Sequence, residues 1–512
     1  MKNHLSHVVD KARNARFGGR RRRNEGMDTA SKLLLLIPPE LWLQVFSHLS
    51  SSSADLKSVS LVCDTFRVLA QPLLFTRIAI YPNFSHTALP PLALRYTANK
   101  SRKKAAQRLD FFTSPGVAPA VRECLIYPPA AEEDAETSIG SRDDVLDAAF
   151  DSLRKFPNLR TLECRTVRLT VARLTILHAL PQLSGLSLDS CVTDEMVGLS
   201  PLALSQVTVR SPETSCTDFS IILSPARLRR LIALTNDIAP ALSDSGRFGK
   251  LKYLELPALA LTSPQIATAL AQCPAVERMV IHVGADGQVP RTGVPTAFPP
   301  TLLPNLKFYR GPRNFALLFA STGLVATIEI STPAKAHRLT RTFRSLRASP
   351  LSVARVEYLS FRVDGPMPAT FLRSVHRVFP ALRSLSINDP AVSATDLLGL
   401  LAHSSPKTSM RLFRMRIEGK DRYNLWVPPV EEAEDVITCF GRLKSELERV
   451  YPGLSALRLM YGLENGSVLW KKPSSGTTLE QLPIHSEGRP IHAKRHSKNE
   501  HALSDHLRYA LS

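Results

Sequence analysis

Apolar residues along the chain fall into two patterns. Between residues 36 and 75 they recur at helical spacing: Leu41, Val45 and Leu49 stand at i, i+4 and i+8, with Trp42 and Phe46 widening the stripe. Pro38 and Pro39 open this helix, and Glu40 sits in its first turn, where the positive end of the helix dipole favours a carboxylate. Ser51 to Ser53 interrupts it. Ser53 or Asp55 caps a second helix carrying Leu56 and Val59, and Pro72 ends a third carrying Phe66 and Leu69. Three short helices in roughly 40 residues bury little surface, so the module sits at the lower limit of independent stability. Apolar surface left over there needs a partner.

From about residue 75 to 460 a second pattern takes over, apolar-x-x-apolar-x-apolar. It reads Phe156-Pro-Asn-Leu-Arg-Thr-Leu-Glu-Cys164, Leu180-Pro-Gln-Leu-Ser-Gly-Leu-Ser-Leu188, Phe248-Gly-Lys-Leu-Lys-Tyr-Leu-Glu-Leu256 and Phe379-Pro-Ala-Leu-Arg-Ser-Leu-Ser-Ile387. At 44% apolar content, three such positions coincide by chance roughly once in twelve placements, so the motif alone carries little. Its spacing carries more. Anchors fall at 159, 183, 204, 228, 251 and 276, with gaps of 24, 21, 24, 23 and 25 residues. Further copies stand at 121, 306, 325, 356, 382, 412 and 454, and the rhythm breaks between 306 and 356, where gaps of 19 and 31 occur. Seven of the thirteen anchors have proline two residues earlier, against about one expected from proline content.

A period of 20–29 residues with this motif resembles the leucine-rich repeat, one strand and one helix per unit. Alternating residues such as Leu186 and Leu188 suit one buried strand face, and Cys191 stands where such repeats place Asn or Cys as the strand turns. Helices are expected after Ser263-Pro264, over Phe371 to Val378 and over Thr395 to Ala402. The expected fold class is therefore α/β, a three-helix module followed by a leucine-rich-repeat-like α/β solenoid. Its divisions are a basic disordered arm at 1–32, the helical module at 33–74, repeats at 75–460 with insertions near 83–116 and 131–144, and a polar, largely disordered tail at 461–512 with a short helix near Leu503 to Leu511.

Charge and cysteine usage refine this picture. The formal net charge of +20 is uneven: residues 1–23 end in Arg20-Arg21-Arg22-Arg23, and residues 95–108 carry Arg95, Lys100, Arg102, Lys103, Lys104 and Arg108 without an acid. Such runs suit nuclear import or polyanion contact, or a solvated arm. Arg338, Arg341, Arg344 and Arg347 recur every three residues and would form a cationic helix face for an anionic partner, or a plain solvated surface. No apolar run approaches the roughly 20 residues a membrane span needs, and residues 1–26 carry no apolar core of a secretory signal. Seven scattered cysteines, at 63, 124, 164, 191, 216, 273 and 439, form no Cys-x-x-Cys pair and are expected to be reduced core thiols in a nuclear or cytoplasmic protein, with no metal. The sequons at Asn83, Asn99 and Asn465 are then idle.

The helical module closely resembles the F-box. Pro38, Glu40, Leu41, Val45, Phe46, Leu49, Asp55, Leu56, Leu61, Val62, Cys63 and Phe66 match that family's order of Leu-Pro-x-Glu-Leu, an aliphatic-aromatic pair, Asp-Leu and Leu-Val-Cys before an aromatic. Ile37 stands for Leu, and Asp64 sits where Lys or Arg is common. The resemblance covers about 40 of 512 residues. It implies docking by Pro38, Leu41, Val45, Phe46, Leu49, Leu56, Val59, Leu61, Val62, Cys63 and Phe66 on a Skp-type adaptor within a cullin-RING ubiquitin ligase. The order of an F-box before leucine-rich repeats resembles F-box proteins of mushroom-forming fungi, in which the repeats select a protein substrate.

Catalytic constellations are missing from the sequence. Gly246-Arg-Phe-Gly249-Lys250 lacks the spacing of a phosphate-cradling loop, there is no His-Glu-x-x-His, and no serine elbow occurs. The chain is expected to be a substrate-recruiting subunit with no enzymatic activity and no cofactor. The competing class is a basic nucleic-acid-binding or scaffold repeat protein without ligase association. Aromatics do not interleave with the basic runs as base-stacking platforms require, which argues against nucleic acid as the partner.

Overall fold

The computed structural model describes residues 37–49, 53–80, 98–127, 139–193, 200–210, 221–283, 298–299, 301–320, 324–347, 354–389, 394–404, 406–407, 409–417, 445–461 and 466–471. The 1–32 arm and the helix expected near Leu503 to Leu511 lie outside these residues. The chain forms two compact units, Met1–Ile222 and Leu223–Ser512, the division falling inside the span read as one array.

The first unit begins with α1 (Pro39–Ser47), α2 (Ser53–Ser60) and α3 (Asp64–Leu74). Pro38 takes the N-cap position of α1 with an extended ψ of 140°, as a residue before proline must. Pro72, expected to end the third helix, instead lies inside α3. Its missing N–H falls in the last turn, and the chain stays helical through Leu74, with Phe75 N–H donating to the Gln71 carbonyl. Then follow β1 (Arg77–Ile80), α4 (Ala98–Phe112), β2 (Glu123–Ile126), α5 (Ile139–Leu153), β3 (Thr161–Arg165), β4 (Arg168–Leu169), α6 (Val171–His178), β5 (Gly185–Asp189), β6 (Val192–Thr193) and β7 (Gln206–Arg210). Strands β1, β2, β3, β5 and β7 pair in parallel in that order, and β4 pairs with β6. The basic run at 98–108, read as part of an insertion, lies on α4, whose Phe111 meets Phe75 edge-on at 5.4 Å.

Two turns show the repeat directly. Thr166 and Ser190 occupy the seventh position after anchors 159 and 183, and both adopt left-handed backbone, with φ of 51° and 54°. This aims Thr166 N–H at the Asp189 carbonyl (2.7 Å) and Ser190 N–H at the Arg210 carbonyl (2.8 Å), closing each strand end onto the next repeat. The Cys191 thiol then donates to the Cys164 carbonyl at 3.3 Å. Arg173 is buried among these elements at 1% exposure. Its Nε donates to Asp147 at 2.8 Å and its Nη1 to the Arg168 carbonyl at 2.6 Å, which satisfies a charge that burial alone would make costly.

The second unit runs β8 (Arg230–Ala233), α7 (Ile238–Asp244), β9 (Tyr253–Pro257), α8 (Ile266–Ala271), β10 (Arg278–His282), β11 (Phe308–Gly311), α9 (Arg313–Ala320), β12 (Thr327–Ile330), α10 (Ala336–Arg347), β13 (Tyr358–Arg362), α11 (Phe371–Val378), β14 (Ser384–Asp389), α12 (Ala394–Ala402), β15 (Leu412–Ile417), β16 (Ala456–Tyr461) and β17 (Gly466–Lys471). β8 to β16 pair in parallel in sequence order. β17 returns antiparallel to β16, so the sheet runs past residue 460 into the span read as tail. Gln265, not Ser263, takes the N-cap position of α8, while Ser263 Oγ accepts from the Gln265 N–H one turn earlier.

Twelve of the thirteen anchors are buried residues standing two positions before a strand. The thirteenth shifts: Leu412 opens β15 and is only half-buried, and the buried anchor is Met410. At most repeats the residue after the buried anchor supplies a carbonyl that accepts two consecutive N–H groups at the start of the next strand. Lys252 does so for Glu277 and Arg278, and Glu277 for Lys307 and Phe308. Third and fifth positions after the anchor, such as Leu254 and Leu256 or Leu359 and Phe361, face the helices and are fully buried. Phe361 packs against Phe343 of α10 and Phe371 of α11, with centroids 5.7 Å apart in each pair. Gly311 fills the fifth position on β11 because a Cβ there would meet the Tyr309 hydroxyl at 2.6 Å. That buried phenol donates to the Pro312 carbonyl and occupies the space an aliphatic side chain takes elsewhere.

Two measurements test this packing. Thr166→Asn keeps the left-handed turn with a residue that tolerates it, and is expected to stabilise the protein by roughly 0.5–1 kcal/mol, read as a raised thermal midpoint. His376 is held neutral: burial, then the charge of Lys407, pushes its pKa down from 6.5 to about 4, while Nε2 shares a hydrogen bond with the buried Tyr451 hydroxyl at 2.9 Å. The unfolded chain therefore binds a proton that the folded chain refuses between pH 6.5 and about 4. Stability should fall as pH drops through that window, by roughly 3 kcal/mol in all, and denaturant titrations of His376→Gln should lack that component.

Candidate functional site

The three-helix module is organised around aromatic rings. Trp42 and Phe66 lie 4.7 Å apart by centroid, Phe46 and Phe66 5.1 Å, and Trp42 and Phe46 5.8 Å. Phe46, Leu56, Val59, Phe66 and Ala70 are buried, with Trp42, Val45, Leu49, Cys63 and Leu69 packed around them. The buried stripe of α1 thus follows Trp42 and Phe46, while Leu41 turns outward, a phase different from the Leu41–Val45–Leu49 line read from spacing.

This divides the eleven residues implied by the F-box resemblance. Phe46, Leu56, Val59 and Phe66 form the interior and act by holding the helices together. Val45, Leu49 and Cys63 are half-buried. Pro38, Leu41, Leu61 and Val62 are exposed, the last three at 50%, 57% and 48%. Ile37, Leu43 and Val68 are exposed as well and were not singled out from the sequence. Period alone marks them as apolar; only the packed direction of each helix shows that they face water.

Cys63 has a structural task the sequence did not disclose. It is the N-cap of α3, and its sulfur accepts from Phe66 N–H at 3.4 Å. Asp64 follows in the first turn of α3 and pairs with Arg67 at 2.9 Å, both side chains well exposed. A carboxylate is favoured at that helix start whatever else it contacts. The indole Nε1 of Trp42 is buried without a hydrogen-bond partner among the described residues.

The arginine series lies on α10, as expected. Leu339, Thr342, Phe343 and Leu346 are buried, and Arg338, Arg341, Arg344 and Arg347 are exposed. A three-residue step falls about 60° short of a full turn, so the four arginines spread around the exposed half of the helix and do not align on one line. Arg313 of α9 joins them, its Nη1 donating to the Arg338 carbonyl at 3.1 Å. Burial, then the charges of Arg338 and Arg341, hold its pKa below the usual guanidinium value.

No group of His, Cys, Asp and Glu suited to a metal occurs among the described residues. Cys124, Cys164, Cys191 and Cys273 are buried thiols outside any disulfide, and burial pushes Cys124 and Cys273 up to about 12, unsuited to nucleophilic work at neutral pH. No helix among the described residues is long and apolar enough to cross a membrane.

Comparison with known proteins agrees with this geometry at the N-terminal module. Residues 34–81 match the F-box-like family, so the chain carries an F-box-like domain there, with a leucine-rich-repeat-like α/β array behind it. No curated protein matches the chain. A similar solved structure is the crystal structure of the TLR13–ssRNA13 complex, at 13% identity and a TM-score of 0.30, covering 69% of this chain and 44% of that one. The present chain therefore spans less than half the length of that relative.

The division between interior and surface side chains has a measurable signature. Phe66→Ala should cost about 3–5 kcal/mol, enough to unfold so small a module, and residues 39–74 should then lose hydrogen-exchange protection. Leu61→Ala, at an exposed site, should change stability by no more than about 0.5 kcal/mol.

Proposed function

We propose that this protein is the substrate-recruiting subunit of a Skp/cullin-type ubiquitin ligase, acting in the nucleus or cytoplasm and performing no catalysis itself. The observation that carries the reading is the F-box-like domain at 34–81, whose aromatic core leaves Leu41, Leu61 and Val62 in solvent. Exposed apolar side chains on a module too small to bury them suit a permanent protein partner. Pro38, Leu41, Leu61 and Val62 would meet the Skp-type adaptor directly, with half-buried Val45, Leu49 and Cys63 at the margin. Phe46, Leu56, Val59 and Phe66 would contribute by keeping the helices in place. Ubiquitin transfer would belong to the partners, and the repeats would hold the protein target.

Co-purification with a Skp-type adaptor tests this. The full-length protein should capture the adaptor, and Leu41→Asp combined with Leu61→Asp should reduce capture on the order of tenfold or more while leaving circular dichroism unchanged. Failure of the full-length protein to capture the adaptor would remove the ligase assignment in favour of a scaffold without ligase association, and capture that survives both substitutions would remove Leu41 and Leu61 as the docking residues.

A further inference from the structure

The second unit's sheet has a face turned away from its helices, made by the first, third and fifth residues of each strand. Register places Arg230, Tyr253, Arg278 and Phe308 in one row across β8, β9, β10 and β11. The Arg230 guanidinium lies over the Tyr253 ring, 4.7 Å from its centroid, and that of Arg278 over the Phe308 ring at 4.4 Å. Cation and aromatic thus alternate strand by strand. A guanidinium over a ring offers the ring its face and keeps its in-plane N–H groups for a carboxylate. Each aromatic also gives up a ring face that a stacked base would use. Strands stand about 4.8 Å apart, so the two arginines project about 10 Å from each other, within reach of one short segment.

The carboxylates on this face are already engaged. Glu255 accepts from the Tyr253 hydroxyl and is bonded to His282 Nε2. Burial pushes the Glu255 carboxyl up, but those hydrogen bonds, with the nearby charges, outweigh it and hold the group below its usual value, so it stays ionised and occupied. Glu329 faces Arg310 at 3.8 Å. Arg230 and Arg278 are exposed and, among the described residues, have no carboxylate within 4.0 Å. The row is two braced cations; the Glu255 charge acts on Arg230 from nearby, but its oxygens are bonded to Tyr253 and His282.

We infer that this row, Arg230 over Tyr253 and Arg278 over Phe308, is a docking surface for an acidic, carboxylate-bearing segment of a protein target. Charge complementarity selects that occupant: braced guanidinium groups favour carboxylates, and a chain of net charge +20 draws acidic proteins from a distance. The inference rests on the repeats' proposed task of holding a protein and names its chemistry and the face that meets it.

Fluorescence anisotropy with the full-length chain tests it, using a labelled Glu-rich peptide, its Gln-rich counterpart and a single-stranded oligonucleotide of matched charge. The Glu-rich peptide should bind, weaken with added salt, and lose about tenfold in affinity when Arg230 and Arg278 are both replaced by alanine. The Gln-rich peptide should bind no better to the original chain than to the variant. Should the alanine pair fail to fold, the single variants Arg230→Gln and Arg278→Gln carry the same comparison. Equal binding of both peptides, unchanged affinity in the variants, or arginine-dependent preference for the oligonucleotide would overturn the inference. Adaptor capture, measured on the same variants, reports the F-box separately: intact capture with failed peptide binding sinks only this surface, and lost capture by the original chain sinks the ligase reading.

Discussion

No single repeat in this protein can bury its own apolar face, and everything else in the array follows from that constraint. Each strand contributes two side chains inward, such as Leu254 with Leu256 or Leu385 with Ile387, and these are sealed only when the next strand and its helix are added. The backbone enforces the stacking. In most repeats one carbonyl accepts two successive N–H groups from its neighbour, which fixes parallel register before side chains are considered. Irregular inserts between strands are then tolerated, provided the chain returns to the same register. The spacing between anchors 325 and 356 is long, yet β12 and β13 pair as their neighbours do.

The same constraint explains the local substitutions. Where Tyr309 brings its ring inward, Gly311 vacates the position two residues on, and the inward volume is conserved. Where α10 and α11 approach β13, Phe343, Phe361 and Phe371 interlock in tilted and edge-on contacts that no run of leucines would reproduce. Two of the largest polar side chains inside this packing have partners: Arg173 has Asp147 and a carbonyl, and Tyr451 has His376.

The F-box-like module solves the opposite problem. With only three short helices it cannot cover all its apolar residues, so Trp42, Phe46 and Phe66 gather at the centre and Leu41, Leu61 and Val62 remain outside. Exposed apolar surface is built into such a module by its size. The array behind it has ample core, and its outward features are electrostatic: arginines spread around α10, and arginines braced on rings along the open sheet face.

The sequence by itself determined the repeat period, the strand positions and the family of the helical module, because backbone periodicity and buried volume leave direct marks on residue order. Twelve of thirteen anchors sit where spacing placed them, and the slip from 412 to Met410 arose where two apolar residues compete for one position. The return strand at 466–471 was not legible, since an antiparallel closing strand does not repeat the period. At the site, order revealed which residues are apolar but not which way they face. Helix phase is set by how three helices pack, and that turned Phe46, Leu56, Val59 and Phe66 inward and left Leu41 and Leu61 in solvent. The pairing of Arg230 with Tyr253 and of Arg278 with Phe308 was likewise decided by tertiary structure alone: residues 23 and 30 positions apart become neighbours only when parallel register sets their strands side by side.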